Sequence, residues 1–246
     1  MKALCIIPAK YQSVRLPGKV LADIFGKPMI QRVYEGVIRS KLLDGVIVAT
    51  DDQRIYDVVK SFNGNVMMTS QHHINGTERI AEVANLFSQV DIIINVQGDE
   101  PMIIPEVIDS LIKCMDENQD VDMATLKVIM DESDYENPAA VKVLTDINNN
   151  ALYFGRSLNP YPKNRNLNFA VYKHIGIYAY KRDFLIQYPE FTKTPLETIE
   201  NLEQLRVIEN GFKIKVLECQ YKGISVNTLD DLEAVNAYYR NLKSED

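Results

Sequence analysis

The chain has 246 residues, of which 46% are hydrophobic and 25% charged, with a net charge of −7. That length buries one large α/β core, or two intimate lobes, and the composition is that of an ordinary globular chain rather than a disordered or fibrous one. The acidic balance excludes a nucleic-acid binder with a broad basic surface, and no apolar run approaches the ~18 residues of a membrane span.

The elements alternate. "LCIIPA" (4–9) reads as a buried strand, and Ile30, Val33, Tyr34, Val37 and Ile38 fall at helical spacing. "VIVAT" (46–50), "VMMT" (66–69) and "DIIINV" (91–96) read as strands. Between and after them, 54–62, the run Ile80, Val83, Ala84, Phe87 and the run Val107, Ile108, Leu111, Ile112, Met115 read as helices. A βαβαβα order predicts a parallel sheet covered on both faces. Beyond about residue 120 the rhythm becomes strand-rich, with "MATLKVI", "VKVLTD" and "ALYFGRS" and a turn at 147–150. The polar stretch 159–168 reads as a mobile loop. "YKHIGIYAY" is a further strand, 195–211 one helix with Pro195 near its start and Gly211 at its end, "KIKVLEC" a strand, and 227–242 a last helix with Thr228 and Asp231 at capping-box spacing.

Cys5, Cys114 and Cys219 are far apart and show neither CxxC nor Cys/His spacing. The expectation is a reduced, cytoplasmic chain without disulfides or a zinc site. The apolar stretch after Lys2 runs at once into a charged loop, so no signal peptide is expected.

That loop, within "IIPAKYQSVRLPGK" (6–19), is where the chemistry begins. No acidic residue precedes Asp23, whereas Lys2, Lys10, Arg15 and Lys19 do. Both GxGxxG and GxxxxGK[ST] are absent after the first strand, which argues against a dinucleotide-binding dehydrogenase and a P-loop kinase. Ser13, Arg15, Lys19 and the Gly18 backbone at the carboxyl end of a strand suit a triphosphate. Taken alone, a solvated basic loop explains them nearly as well. "NVQGDEPMI" (95–103) ends a buried strand in Gln97 and Asp99, and a carboxylate there suits Mg²⁺ shared with phosphate oxygens. A turn-forming Asp is the plain alternative. "NGTERI" (75–80) sets Thr77 and Arg79 at a helix start, where capping and anion binding are equally served. Tyr172, His174, Gly176 and Tyr178 share one strand face, which suggests a wet pocket, although a lone strand His is more often structural. Glu203 and Gln204 stand in mid-helix, where side chains usually meet solvent.

Taken in order, "IIPAKYQSVRLPGK", "GKPMI", "VATDD", "GTERI", "NVQGDEPMI", "ALYFGRS", "YKHIGIY" and "LEQLR" resemble the 3-deoxy-D-manno-octulosonate (Kdo) cytidylyltransferases across about residues 3–240. "LPGK" alone would indicate only the wider nucleotidyltransferase superfamily. The resemblance implies a Rossmann-like, GT-A-like fold with a mixed, mostly parallel sheet, helices on both faces and a smaller β-rich lobe for dimerisation and sugar binding. It implies one domain over 1–246, with 1–120 the nucleotide-binding half and 121–246 the sugar-binding and dimerisation half. CTP and an eight-carbon sugar acid would give CMP-Kdo and pyrophosphate for lipopolysaccharide or capsule, with Mg²⁺, in a cytoplasmic homodimer that engages neither nucleic acid nor membrane. Carried over, Lys10, Ser13, Arg15 and Lys19 form the phosphate loop, and Arg15, Lys19 and Asp99 are catalytic. Pro8, Ala9, Asn75, Gly76 and Thr77 meet the nucleotide. Arg79, Gln97, Arg156, His174, Tyr178, Glu203 and Gln204 take the sugar, and Asp99 with Asn227 holds the metal.

The chain departs from the pattern at several places. The usual "VDTPEDL" is "SVNTLDDL", so an amide at Asn227 replaces a metal-binding carboxylate, and weaker or altered metal binding is expected. Lys10 stands where arginine is commonest and lacks its fork. Asn75, Gly155 and Asn159 replace Ser, Ser and Ile; the last two lie toward the sugar side and open the choice between Kdo and its 8-amino analogue. Two other readings stand beside an active Kdo enzyme. A sugar-1-phosphate nucleotidyltransferase would leave "YKHIGIY" and "LEQLR" unexplained. A CTP-binding paralogue of low activity rests on Asn227 alone.

Overall fold

The computed structural model describes residues 1–13, 15–161, 163, 164 and 169–244. In chain order the first half runs β1 (Ala3–Ala9), the small hairpin β2 (Asp23–Ile24) and β3 (Lys27–Pro28), α1 (Met29–Val37), β4 (Gly45–Thr50), α2 (Gln53–Ser61), β5 (Val66–Met68), α3 (Gly76–Asn85), β6 (Ile92–Asn95) and α4 (Pro105–Glu117). The second half runs β7 (Met123–Ile129), β8 (Lys142–Thr145), β9 (Ala151–Gly155), β10 (Tyr172–Lys181), α5 (Arg182–Gln187), α6 (Pro195–Glu200), α7 (Gln204–Glu209), β11 (Ile214–Glu218) and α8 (Leu229–Ser244).

The main path of a nine-stranded sheet is ordered β11-β7-β10-β6-β1-β4-β5, with β8 and β9 attached beside β10. Pairings β1/β4, β1/β6, β4/β5 and β7/β11 are parallel. β10 is antiparallel to both β6 and β7. Every residue of β1 is buried, because helices cover both faces and the strand can therefore be a continuous apolar run. Its side chains alternate: Cys5, Ile7 and Ala9 pack with Ile30 and Val33 of α1, Ile55 of α2 and Leu111 of α4. Leu4 and Ile6 pack on the other face with Ile80 of α3, Leu185 of α5 and Leu205 of α7. The expected mixed sheet with helices on both faces is present.

The turn expected at 147–150 joins β8 to β9, and Thr228 caps α8 as its spacing predicts, its Oγ1 accepting from Asp231 N at 3.2 Å. Residues 162 and 165–168 of the expected mobile loop lie outside the described residues. The single helix expected over 195–211 is two. Asn201 has φ 53° and ends α6 in the left-handed region, which Asn tolerates better than most residues. The chain turns and restarts as α7, and Arg206 ties the two pieces by donating to Glu197 at 2.8 and 2.6 Å. Gly211, φ 82°, then ends α7.

Candidate active site

The carboxyl ends of β1 and β6 meet the start of α3, and two cavities open there. The first, of about 270 Å³, is lined by Pro8, Lys10, Gln12, Ser13, Lys19, Val20, Gly76, Arg79, Gln97, Gly98 and Asp99. Its shape depends on a turn after β1. Gly18 adopts φ 69° and its N–H donates to Tyr11 O at 2.8 Å. A Cβ on Gly18 would stand 3.1 Å from the Tyr11 ring, which the Arg54 guanidinium also covers at 3.3 Å, so the position has little room for anything larger. The turn delivers Lys19 across the cavity to Asp99, with which it forms a short ion pair. Gly98 lets the β6 end pass close to β1, since a Cβ there would lie 3.0 Å from Pro8 O.

Two distant chain segments, at Asp99 and at Val226–Asn227, converge on Lys19. Its ammonium also donates to Val226 O at 3.2 Å and Asn227 Oδ1 at 3.3 Å, and Arg15 donates to the same Asn227 oxygen at 2.8 Å. Val226 N donates to Asp99 O at 2.9 Å. Glu100 secures this approach from inside, accepting from Tyr221 Oη at 2.9 Å and from Ser225 Oγ in a short contact. Burial pushes the Glu100 carboxyl up to about 7, against the pull of those hydroxyl donors. Asp231 accepts from the N–H groups of Asn227 and Thr228 at 2.9 Å and so fixes Asn227 at the entry to α8. Among the described residues no group of three or more His, Cys, Asp or Glu is placed to hold a metal. Two oxygens, Asp99 Oδ2 and Asn227 Oδ1, nonetheless converge on one ammonium, a cation position that suits a hard divalent ion completed by phosphate and water.

The second cavity, also about 270 Å³, is lined by Gly76, Thr77, Asn95, Gln97, Met123, Gly176, Tyr178, Tyr180, Tyr188, Asn201, Leu202, Glu203, Gln204 and Val207. Gly76 and Gln97 belong to both cavities and form their common wall. β10 supplies a tyrosine face because its antiparallel register sets Tyr178 beside Asn95 at the end of β6. Glu203 accepts from Thr77 Oγ1 at 2.7 Å; burial raises its carboxyl above the ordinary range while that hydroxyl opposes the shift. Gln204 is buried rather than solvent-facing, and its Nε2 has no partner among the described residues.

Most sequence-selected residues come together here, but some do not. Ala9 is buried beneath the first cavity, and Asn75 caps α3, its side chain accepting from Glu78 N at 2.8 Å. Arg79, expected on the sugar side, lines the first cavity instead. It is fully buried, pairs with Asp51 at 2.7 Å and touches Thr69 Oγ1. His174 lines neither cavity. It is buried edge-on to Phe154 with Nε2 3.0 Å from Thr125 Oγ1, and burial depresses its imidazole to about 3. Arg156 is also outside both, donating to Glu200 O and Pro138 O at 2.9 Å. Sequence reasoning did not select Asn95, Tyr180, Tyr188 or Asn201 for the second cavity, nor Asp51 as the partner of Arg79. Period two along "YKHIGIYAY" already sets Tyr180 on the face of Tyr178; nothing local marks the others.

A mostly parallel sheet with a basic glycine-turn loop on its first strand, facing a carboxylate on a neighbouring strand end, defines an α/β nucleotidyltransferase. Within that class the chain belongs to the Cytidylyltransferase family, whose profile matches residues 4–214. It is 53% identical over 241 residues to a 3-deoxy-manno-octulosonate cytidylyltransferase of Fusobacterium nucleatum, covering 98% of each chain. It is 47% identical to the protein of that name from Pelobacter propionicus, over the full length of both. A solved CMP:2-keto-3-deoxy-manno-octonic acid synthetase complexed with CTP superposes with a TM-score of 0.94 at 42% identity, covering 98% of this chain and 99% of that one.

Proposed function

We propose that this chain is a Mg²⁺-dependent cytidylyltransferase that joins CTP to 3-deoxy-manno-octulosonate, giving the CMP-sugar and pyrophosphate for lipopolysaccharide or capsule synthesis. The observation that carries this reading is the common wall of the two cavities. A triphosphate held on Lys10, Ser13, Arg15 and Lys19 has its α-phosphorus at the Gly76–Gln97 boundary, facing a sugar acid in the second cavity. Pro8 and Gly76 border the nucleoside, supported by Ala9 from beneath and by Asn75 through its cap on α3, whereas Thr77 faces the second cavity and donates to Glu203.

The sugar's anomeric hydroxyl attacks the α-phosphorus in line. The new P–O bond forms as the bond to the β-phosphate oxygen breaks, and the hydroxyl proton is released. Catalysis is positioning and charge neutralisation. Arg15 and Lys19 neutralise the departing pyrophosphate, and Gln97 orients the sugar across the wall. Tyr178, Glu203 and Gln204 fill the sugar side. The raised Glu203 carboxyl offers a hydrogen-bond donor to a sugar hydroxyl when protonated, and Gln204 Nε2 offers a donor that has no partner among the described residues. Arg79 acts from the nucleotide side. His174 and Arg156 act from outside, one supporting the β10 floor and the other holding Glu200 beside the Asn201 wall. Asp99 and Asn227 would hold Mg²⁺, which supplies charge neutralisation at the phosphates.

The protein is read as cytoplasmic and homodimeric, with 1–120 the nucleotide half and 121–246 the sugar and dimerisation half. The test is pyrophosphate release. It should require CTP, the eight-carbon sugar acid and Mg²⁺ together; turnover with a sugar 1-phosphate in place of the sugar acid would overturn the assignment.

A further inference from the structure

We infer that Tyr153 and Glu200 are positioning residues for the sugar acid, acting through the left-handed turn at Asn201, and that Gly155 makes their contact possible. The inference rests on the cytidylyltransferase reading of the second cavity.

Neither Tyr153 nor Glu200 lines the two cavities. Glu200 is nonetheless the last residue of α6, and the residues that follow it, Asn201, Leu202, Glu203 and Gln204, all line the second cavity. Whatever holds Glu200 therefore holds one end of that wall. A carboxylate at a helix C-terminus opposes the helix dipole, so α6 itself gives Glu200 little support, and the donors come from β9. Glu200 Oε1 accepts from the Tyr153 hydroxyl at 2.9 Å, and Oε2 accepts from the Arg156 N–H at 3.1 Å. Arg156 Nε returns a bond to Glu200 O at 2.9 Å. The mount is firm. Phe154 and Gly155 pair with Val143 and Lys142 of β8, Phe154 shares a buried cluster with Leu205 and Val207 of α7, and Lys142 Nζ donates to Arg156 O at 2.8 Å.

Tyr153 and Gly155 lie on one face of β9 by period two. The Tyr153 ring crosses Gly155 to reach the carboxylate: a Cβ on Gly155 would stand 2.6 Å from Tyr153 Cε1 and 3.4 Å from Glu200 Oε1. A glycine within a strand marks such a close approach. Gly155 does not have a positive φ, so its backbone accepts a side chain without strain. An added methyl thus acts on Tyr153 and pushes its hydroxyl off Glu200. A serine has the same Cβ but carries a hydroxyl of its own to Glu200 Oε1. The wall needs the donor rather than the glycine. Where the usual pattern has serine, this chain has Gly155 and draws the donor from Tyr153.

The Glu197–Arg206 pair joins α6 to α7 within the wall, whereas the β9 contacts fix the wall to the sheet. Loss of the β9 contacts leaves the turn intact but frees Asn201, Glu203 and Gln204 to shift against Gln97 and Tyr178 across the cavity. The nucleotide, on the other side of Gly76 and Gln97, is untouched.

Pyrophosphate release, measured against each substrate in turn, tests this on the full chain. Tyr153→Phe and Gly155→Ala should each raise KM for the eight-carbon sugar acid about tenfold through a misplaced wall. KM for CTP, kcat and the unfolding midpoint should stay close to wild type, as they would not if the contact merely supported the fold. Gly155→Ser should restore the donor: alone or combined with Tyr153→Phe, it should keep the sugar KM within about threefold of wild type. An unchanged sugar KM in Tyr153→Phe would overturn the inference, as would equal rises in both KM values, or a double variant no better than Tyr153→Phe. Absence of wild-type turnover with CTP and this sugar acid would instead remove the cytidylyltransferase reading, and the inference with it.

Discussion

His174 shows how burial changes the meaning of a residue. Its ring lies between Phe154 and Tyr178 and is held near neutral by desolvation, with a folded value of about 3. The unfolded chain takes up this proton at an ordinary histidine pKa, so the contribution to stability is full above about pH 6.5 and is lost as pH falls toward 3. Between pH 6.5 and 5 the loss is about 2 kcal/mol. Urea unfolding at pH 7.5 and 5.0 should show that extra loss in the wild type and not in His174→Gln; equal losses would mean that the imidazole is protonated in the fold. Gly76 poses a steric question instead. Its Cβ would stand 3.3 Å from Pro8 Cγ and 3.7 Å from Gln97 Oε1, so Gly76→Ala presses on the wall between the cavities. Turnover should fall about tenfold through misplaced reactants, while the unfolding midpoint stays near wild type. Unchanged kcat/KM would show that the wall has room to give.

At the scale of elements, the break between α6 and α7 organises the sugar side. A straight helix would carry Glu203 and Gln204 past the cavity; the left-handed turn at Asn201 brings them into it. The turn is held by the Glu197–Arg206 pair, whose side chains are only 4% and 5% exposed, and Arg206 also covers the Tyr188 ring at 4.8 Å. Removing one partner leaves a buried charge uncompensated. Glu197→Ala should therefore cost about 3–5 kcal/mol in urea unfolding, whereas the double change Glu197→Leu with Arg206→Met should recover most of it. A loss below about 1 kcal/mol would place the pair among surface-like bridges. This break is not legible in the sequence. Leu196, Ile199, Leu202, Leu205 and Ile208 keep an i, i+3 rhythm across 195–211, and neither Gly nor Pro interrupts it. Asn201 was the available signal, and asparagine is common enough in helices that tertiary packing alone decides. The phosphate loop, by contrast, was legible because its signals are local: a strand, a glycine turn and cations within fourteen residues of chain, "IIPAKYQSVRLPGK".

For the whole molecule the decisive feature is the placement of β10. The first half has the strand–helix alternation of a self-contained parallel domain, and that rhythm alone would set a boundary near residue 120. Strand character in "YKHIGIYAY" was readable, but a strand's neighbours are fixed by long-range pairing that no local pattern encodes. In the fold β10 lies between β6 and β7, pairing Tyr178–Lys181 with Ile92–Asn95 on one side and Tyr178–Tyr180 with Met123–Thr125 on the other. A fragment of residues 1–120 would keep β1, β4, β5 and β6 but expose the β6 edge, four buried residues with their backbone groups unpaired. It would also uncover Ile80 and Ile93, which pack against Leu185, Leu205 and Tyr180 from the second half. Each such side chain returned to water forfeits about 1.5–3 kcal/mol, and a domain's whole stability is only about 5–15 kcal/mol. The isolated fragment should therefore associate or lack a cooperative urea transition, while the full chain unfolds in one step. A sharp transition in the monomeric fragment would show that the two halves are separable domains, and that the common wall at Gly76 and Gln97 is assembled by docking rather than by one folding event.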